Sequence, residues 1–270
     1  MTTTLKFACA ALFALFTASC LEHTATITLN QDGSGTITEE TLFSAEASAM
    51  MAQMGGAGGA DPVAQMADPV KAAETAAKMG EGVTVAKTET IDKNGRRGGR
   101  VVYKFVDINK VKYSFGKAMT DAGSSMGPPG SEPAEKSAST PMTFSYDDGV
   151  LTLKNPDQKV DGAGADAPEA GEIEEPDAQA MAMMEGFFKD MKMSLKVSVT
   201  GGIAETTATH VEGNTVTLME VAFGKLISNP ANMKKLNSLK DESPAKVAAA
   251  FKDVDGLKIE SKNEITIRVK

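Results

Sequence analysis

Alternating apolar and polar residues, in short runs closed by tight-turn sequences, constrain this chain more than any other feature. In Thr24–Asn30 the residues Ala25, Ile27 and Leu29 share one parity. Asp32-Gly33-Ser34-Gly35 follows, and Thr36–Phe43 resumes a β-prone run. Successive side chains of a strand point to opposite faces, so this alternation predicts half-buried strands joined in a hairpin. The same grammar recurs in Val83–Asp92 and Arg100–Val106, joined through Asn94-Gly95, and in Met142–Tyr146 and Val150–Lys154 around Asp147-Asp148-Gly149. It is clearest in the C-terminal third. There Leu195, Val197 and Val199 alternate with polar residues, Gly201-Gly202 turns the chain into Ile203–Val211, and Gly213-Asn214 turns it again into Thr215–Phe223. Consecutive strands with tight turns predict an antiparallel meander. A final run puts Leu257, Ile259, Ile265, Ile267 and Val269 on one parity.

Helical spacing appears between these runs. Ser44–Met54 carries Ala47, Met50, Met51 and Met54, and a second stretch from Asp61-Pro62 carries Val63, Met66, Val70, Ala73 and Ala77. Asp before Pro is a cap followed by a first-turn proline, as helix starts prefer. Asp107–Met119 aligns Ile108, Val111 and Phe115. Gln179–Met193 is the most apolar of these stretches, and Ser243-Pro244 opens a last one through Val247, Phe251 and Val254. Residues 120–141 are rich in Gly, Pro, Ser and Glu, and 156–177 hold eight acidic side chains against Lys159. Neither composition can bury enough surface to offset the entropy of ordering the chain. Together the elements predict an α+β fold for residues 20–270: an antiparallel β-sheet meander, helices packed on one face, and two long flexible insertions.

The first twenty residues point to a destination. Lys6 precedes an unbroken apolar run from Phe7 to Phe16, and Thr17-Ala18-Ser19 leads into Cys20. A run of about ten residues is half the roughly 20 that span a bilayer as a helix, and matches the apolar region of an export signal. Residues 1–19 are therefore expected to be a signal peptide. Ala18-Ser19-Cys20 resembles a lipobox, in which the cysteine is acylated and becomes the first mature residue. Thr17 stands where lipoboxes usually carry an aliphatic residue, and ordinary cleavage near residues 18–21, leaving a soluble periplasmic protein, is the other reading. The chain has two cysteines, and Cys9 lies in the signal. Cys20 then has no intramolecular partner in a compartment that permits disulfides, which suits a cysteine consumed by lipidation. Leu21 rather than Asp after Cys20 resembles lipoproteins sorted to the periplasmic side of the outer membrane.

Without residues 1–19 the chain loses one basic side chain, so 27 basic groups face 36 acidic ones, a net of −9. An acidic chain of this kind argues against nucleic acid as a partner. With no Trp, three Tyr and eleven Phe, large aromatic anchors are scarce, and sixteen Met supply part of the apolar volume. Methionine adapts to irregular gaps, in a core or in a permissive apolar site. Met181, Met184, Phe188 and Met191, spaced three, four and three, form either the core-facing stripe of the helix 179–193 or the floor of a pocket for an acyl chain.

Chemistry-bearing motifs are sparse. Asn30, Asp32, Ser34 and Gly35 imitate the start of a calcium loop, but its twelfth position is Thr41, where the motif needs a bidentate Glu. The histidines are His23, next to the anchor, and His210, in a predicted strand. One strand histidine, His210, is weak evidence for metal or acid–base work. Ser114-Phe115-Gly116-Lys117 has Ser-x-x-Lys spacing without its partner motifs. Arg96, Arg97 and Arg100 could meet phosphate or lipid headgroups, or could belong to a solvated hairpin tip. No catalytic residue, cofactor or metal is expected, and an enzyme is the minor alternative.

The predicted lipidated cysteine, the hairpin around Asn-x-Asp-Gly-Ser-Gly (Asn30–Gly35) and the later Gly-Gly-Ile-x8-Glu-Gly-Asn-Thr-Val-Thr-Leu (Gly201–Leu218) resemble bacterial lipoproteins of the LppM type. The resemblance covers residues 24–40 and 195–223. It implies an extracytoplasmic helix-on-sheet domain that holds lipid-like ligands, and no functional residue carries over. The expected function is a non-catalytic envelope protein, held to the membrane by its N-terminal lipid and binding a lipid or protein partner.

Overall fold

The computed structural model describes residues 21–45, 47–49, 62–115, 140–154, 189, 191–227, 229, 231–232, 235, 238–239 and 244–270. The signal, Cys20, most of the helix predicted at 44–54 and nearly all of both predicted insertions lie outside these residues. The three predicted hairpins form as their alternation and turns require. β1 (Leu21–Leu29) and β2 (Gly35–Phe43) pair antiparallel over their full length, from Leu21↔Phe43 to Leu29↔Gly35. β3 (Thr84–Lys93) and β4 (Arg96–Phe105) turn through Asn94 and Gly95 at φ 55° and 74°. β6 (Met142–Asp147) and β7 (Val150–Lys154) turn through Asp148 and Gly149 at φ 47° and 73°. Two successive left-handed residues make the two-residue turn whose twist matches a hairpin.

The meander predicted for the C-terminal third does not form. β8 (Lys192–Val199) lies parallel to β1 on one edge and antiparallel to β11 (Thr215–Ala222) on the other. A strand has two edges, so β9 (Ile203–Thr206) is displaced. At Gly201-Gly202 the chain leaves this sheet, and β9 pairs with β13 (Glu264–Val269) in a second sheet. The last apolar run also splits. β12 (Leu257–Ile259) extends the first sheet on β11, while β13 sits between β7 and β9 in the second. One parity thus serves two sheets. The fold is β-rich, with an eight-stranded mixed sheet ordered β10-β11-β8-β1-β2-β4-β3, in which β10 is Val211–Glu212 and β12 joins at β11. A five-stranded sheet is ordered β5-β6-β7-β13-β9, where β5 is Lys112–Tyr113.

The two sheets bury their apolar parities in one continuous core. Ala25, Ile27 and Leu29 of β1, Ile37 of β2, Tyr103 and Phe105 of β4 and Val197 of β8 meet Phe144, Leu151, Ile265 and Ile267 of the smaller sheet. The outer parities of the large sheet are the Thr, Ser and charged positions, half-exposed as a wet face requires.

Among the described residues, helices are few and short. The stretch predicted from Asp61 breaks at Asp68-Pro69 into α1 (Pro62–Met66) and α2 (Pro69–Met79). Asp68 caps α2 by accepting a hydrogen bond from Val70 N at 2.8 Å. The break resets the helical phase, so Val63, Ala72, Ala76 and Met79 are buried, while Val70, predicted inside, is 66% exposed. α1 crosses β4 at Gly99, where a Cβ would stand 2.7 Å from Cβ of Met66. In the described part of the helix predicted at 107–119, residues 107–113 instead form a 3₁₀ turn (Ile108–Lys110) capped by Asp107, followed by β5, and 116–119 lie outside the described residues. Pairing of Lys112 and Tyr113 with β6 takes over the backbone groups that a helix would have used. Of the helix predicted at 179–193, only 189 and 191–193 are described, and they are not helical: Lys189 lies in a turn, Met191 is irregular, and Lys192 and Met193 belong to β8. α3 (Phe223–Ile227) and α4 (Pro244–Phe251) follow β11, and α4 packs beside β12 over a small separate cluster of Leu226, Val247 and Phe251. Among the described residues, helices therefore do not cover one face of a meander.

Candidate functional site

Two places combine polar chemistry with burial. The first is the end of the large sheet where β1 begins. His23 points inward with Ala25, Ile27 and Leu29 and is 3% exposed. Its Nδ1 lies 2.8 Å from Thr41 Oγ1, its register partner on β2, and its ring lies 5.4 Å from that of Phe115. Nε2 has no hydrogen-bond partner among the described residues. Burial away from charge pushes the imidazole down to about 4, so it is neutral at pH 7. One step further in, the buried Tyr113 donates to Glu39 Oε1 at 2.8 Å, and burial, then the neighbouring carboxylate, drives the phenol well above its usual range. These polar groups are consistent with a core that satisfies its own hydrogen bonds, apart from His23 Nε2.

On the outer side of the same sheet, the arginines proposed for phosphate or for a solvated tip are paired within the protein. Arg96 holds Glu22 at 2.6 Å. Arg100 holds Glu40 at 2.7 Å and Glu89 at 3.0 Å, with Lys93 also on Glu40 at 3.3 Å. The Arg100 and Lys93 contacts keep the Glu40 carboxyl below its usual range against the opposing effect of its burial. Arg100 stands in mid-strand rather than at the tip, because its outward parity faces Glu40 and Glu89 on the two neighbouring strands.

The second place is a cleft of about 350 Å³ between α4 and the β10–β12 edge. Ala248, Ala249 and Phe251 come from the helix, Leu257 and Ile259 from β12, and Thr209, His210, Lys252 and Ser261 stand with them. β10 and β12 both pair along the outer edge of β11, and the junction between them is pinned by Glu260. This carboxylate is 3% exposed and accepts from Thr209 N at 2.7 Å, Thr209 Oγ1 at 2.9 Å and Lys262 N at 3.2 Å. A buried charge is tolerated where several donors surround it, as here. His210 therefore has a carboxylate nearby in the fold, but one whose oxygens already serve the backbone.

Of the residues singled out in the sequence, Cys20, Met181, Met184 and Phe188 lie outside the described residues. Met191 is half-buried against the sandwich core, and its carbonyl accepts from Phe223 N at 2.9 Å. Asp32 uses Oδ1 to cap its own turn, accepting from Ser34 N and Oγ, in keeping with a hairpin rather than a calcium loop. Among the described residues, no three His, Cys, Asp or Glu side chains converge to hold a metal ion. Sequence reasoning passed over Glu260 and the alanines of α4. A buried glutamate within Ile259-Glu260-Ser261-Lys262 has no local signature, and small residues mark a cleft wall only when the opposite wall is known.

The chain matches no protein-family model and no curated protein. Among solved structures it is similar to the folded domain of the LppM protein of Mycobacterium tuberculosis, determined by NMR. The match has 13% sequence identity, covers 77% of this chain and 86% of that one, and gives a TM-score of 0.32. A likeness of that size is a weak link, and neither a function nor a site residue is transferred on it.

Proposed function

We propose that this chain is a lipid-anchored extracytoplasmic envelope protein acting as a non-catalytic binding module, and that the cleft beside α4 takes an apolar or lipid ligand. The cleft is the observation that carries this reading. Its walls are Ala248, Ala249, Phe251, Leu257 and Ile259, and its polar groups are confined to Thr209, His210, Lys252 and Ser261. Apolar walls with a few polar groups are the usual composition of a small-molecule site, and its volume is at the lower end of the roughly 300–1,000 Å³ such sites span. An aliphatic chain against the walls, with its polar end toward His210 and Lys252, matches this distribution. The anchor is supported by the export-signal layout of residues 1–19 and the cysteine that follows. A catalytic reading is weaker, since Glu260 beside the cleft is already engaged by Thr209 and Lys262 and, among the described residues, no carboxylate lines the cleft.

Native mass spectrometry of protein purified from membranes tests the ligand. Bound lipid is expected on the wild type and depleted in Ala249→Trp, which fills the cleft from an exposed helix position. Wild-type spectra free of bound species, with lipid extracts equally empty, overturn the cleft assignment. Cys20→Ala tests the anchor, moving the protein from the membrane fraction to the soluble periplasmic one. The stripe Met181, Met184 and Phe188 is a separate proposal for the same ligand class, answered by whether Met184→Asp lowers the bound lipid.

A further inference from the structure

We infer that the end of the sandwich where β1 begins sits against the bilayer surface, with the β3–β4 turn and the first turn of α2 as its contact points. This rests on the lipid-anchor reading and adds an orientation to it. Leu21, the residue after Cys20, is already paired with Phe43, and the ladder continues unbroken to Leu29. One Cα step of about 3.8 Å therefore separates the acylation site from a fully hydrogen-bonded strand. An acylated cysteine holds its backbone at headgroup level. With no spacer, the sheet is carried there with it.

The registers identify the residues that arrive together. β1 is an interior strand, flanked by β2 and β8. Glu22 faces Lys192 on β8, and Leu21 and Phe43 align with Arg97 on β4. At a strand spacing of about 4.8 Å, Lys192 is roughly 5 Å and Arg97 roughly 10 Å from β1. Both distances fall within about one screening length at physiological salt. The β3–β4 turn beyond them adds Lys93 and Arg96. Carboxylates stand among these cations: Glu22 is held by Arg96, Glu220 by Lys192 at 3.8 Å, and Asp92 lies in register with Arg97.

The opposite end of the sandwich lies about 30 Å from the start of β1, the length of a nine-residue strand. Its turns carry Asp32, Asp107, Asp147 and Asp148 beside Lys104 and Lys110, and they pack on one another through Gly33, Asn109 and Tyr146. The aspartates of these turns are the poorer match for anionic headgroups, and the missing spacer holds them on the side away from the anchor. α1 and α2 meet over Gly99, in the row of Thr41 and His23, and this places the exposed Val70 toward the end where β1 begins. An apolar side chain standing out beside lysines and arginines suits a headgroup boundary.

Hydrogen exchange on the full protein, reconstituted in vesicles of phosphatidylethanolamine and phosphatidylglycerol, tests the orientation. The reference is the same chain carrying Cys20→Ala, free in solution. Amides in 91–97 and 68–72 are expected to exchange about threefold or more slowly on vesicles, while 31–34 and 147–149 stay unchanged. Inserting ten Gly/Ser residues between Cys20 and Leu21 is expected to abolish that protection without altering the fold. Protection at 31–34, or none at either end, overturns the orientation. The mass of the N-terminal peptide reports separately on whether cells acylate Cys20. Where they do not, coupling this cysteine to a maleimide phospholipid restores the geometry, so the two ideas fail independently.

Discussion

The sandwich core and the small cluster under α4 bury their side chains by different routes. The core joins β1, at the start of the described chain, to β8, some 170 residues later, and to β13 near the C-terminus. The contacts of β1 with β8 and with the smaller sheet close long loops, and the side chains involved are almost wholly inaccessible. The cluster of Leu226, Val247 and Phe251 forms within residues 223–259 and reaches the large sheet through a three-residue ladder between β12 and β11. Contacts that local are expected to let the second region open while the sandwich stays closed, and it forms one wall of the cleft. Rigidity and a candidate binding surface are thus assigned to separate parts of the chain.

The largest expected effect tests the sandwich. Ile27 is fully buried at the centre of β1, between Ile37 on β2 and Val197 on β8. Ile27→Ala is expected to cost about 4 kcal/mol, as large-to-small changes in close-packed cores do. Urea unfolding should show the loss with one coincident transition for fluorescence and circular dichroism. A loss below about 1 kcal/mol would mean that the core can collapse around the gap, contrary to its close-packed character.

His23 gives the next effect, through pH. Its folded pKa lies near 4 and its unfolded value near 6.5, so between these the unfolded chain binds more protons. The stability from keeping the imidazole neutral is complete above pH 6.5 and is lost as pH falls toward 4, up to about 3 kcal/mol. Unfolding midpoints of His23→Phe should be flatter than wild type across that window. Parallel curves for the two proteins would refute the assignment. Tyr113→Phe should cost less, about 1–2 kcal/mol, because Glu39 loses a buried donor while the ring still packs.

Local signals exposed the parts of the fold that local physics decides. Alternation around Asp32-Gly33, Asn94-Gly95 and Asp148-Gly149 predicts three hairpins, and all three form. What could not be read is which sheet each strand joins. Ile203–Thr206 follows β8 after two glycines, as a meander strand would, and is displaced only because β1 and β11 occupy both edges of β8. The parallel pairing of β1 with β8 has no short-range signature at all. The α2 stripe is shifted by one position from Ala73 and Ala77 to Ala72 and Ala76 because Asp68-Pro69 restarts the helix, a break hidden by the continuous spacing of Val63, Met66 and Val70. The cleft was not legible for the same reason as the topology. His210, Ala249 and Ile259 become neighbours only once β10 and β12 share the edge of β11.

The smallest global effect provides the sharpest test of the comparison. Phe251 is 1% exposed, and its ring supports Val247 and Leu226 and carries Lys235 Nζ 5.3 Å from its centroid. In a sandwich core, Phe→Ala costs about 3–5 kcal/mol. If α4 opens as its own unit, most of that loss falls on the local opening rather than on global unfolding. Phe251→Ala should then speed amide exchange in 246–251 by about two orders of magnitude, equivalent to roughly 3 kcal/mol. Exchange in 25–29 and 195–199 should stay within about twofold of wild type. Equal acceleration in both sets would show a single cooperative unit, and the division between rigid sandwich and adaptable cleft wall would fail. The expected split leaves α4 free to move at its base and lets the cleft widen around an aliphatic chain without disturbing β1.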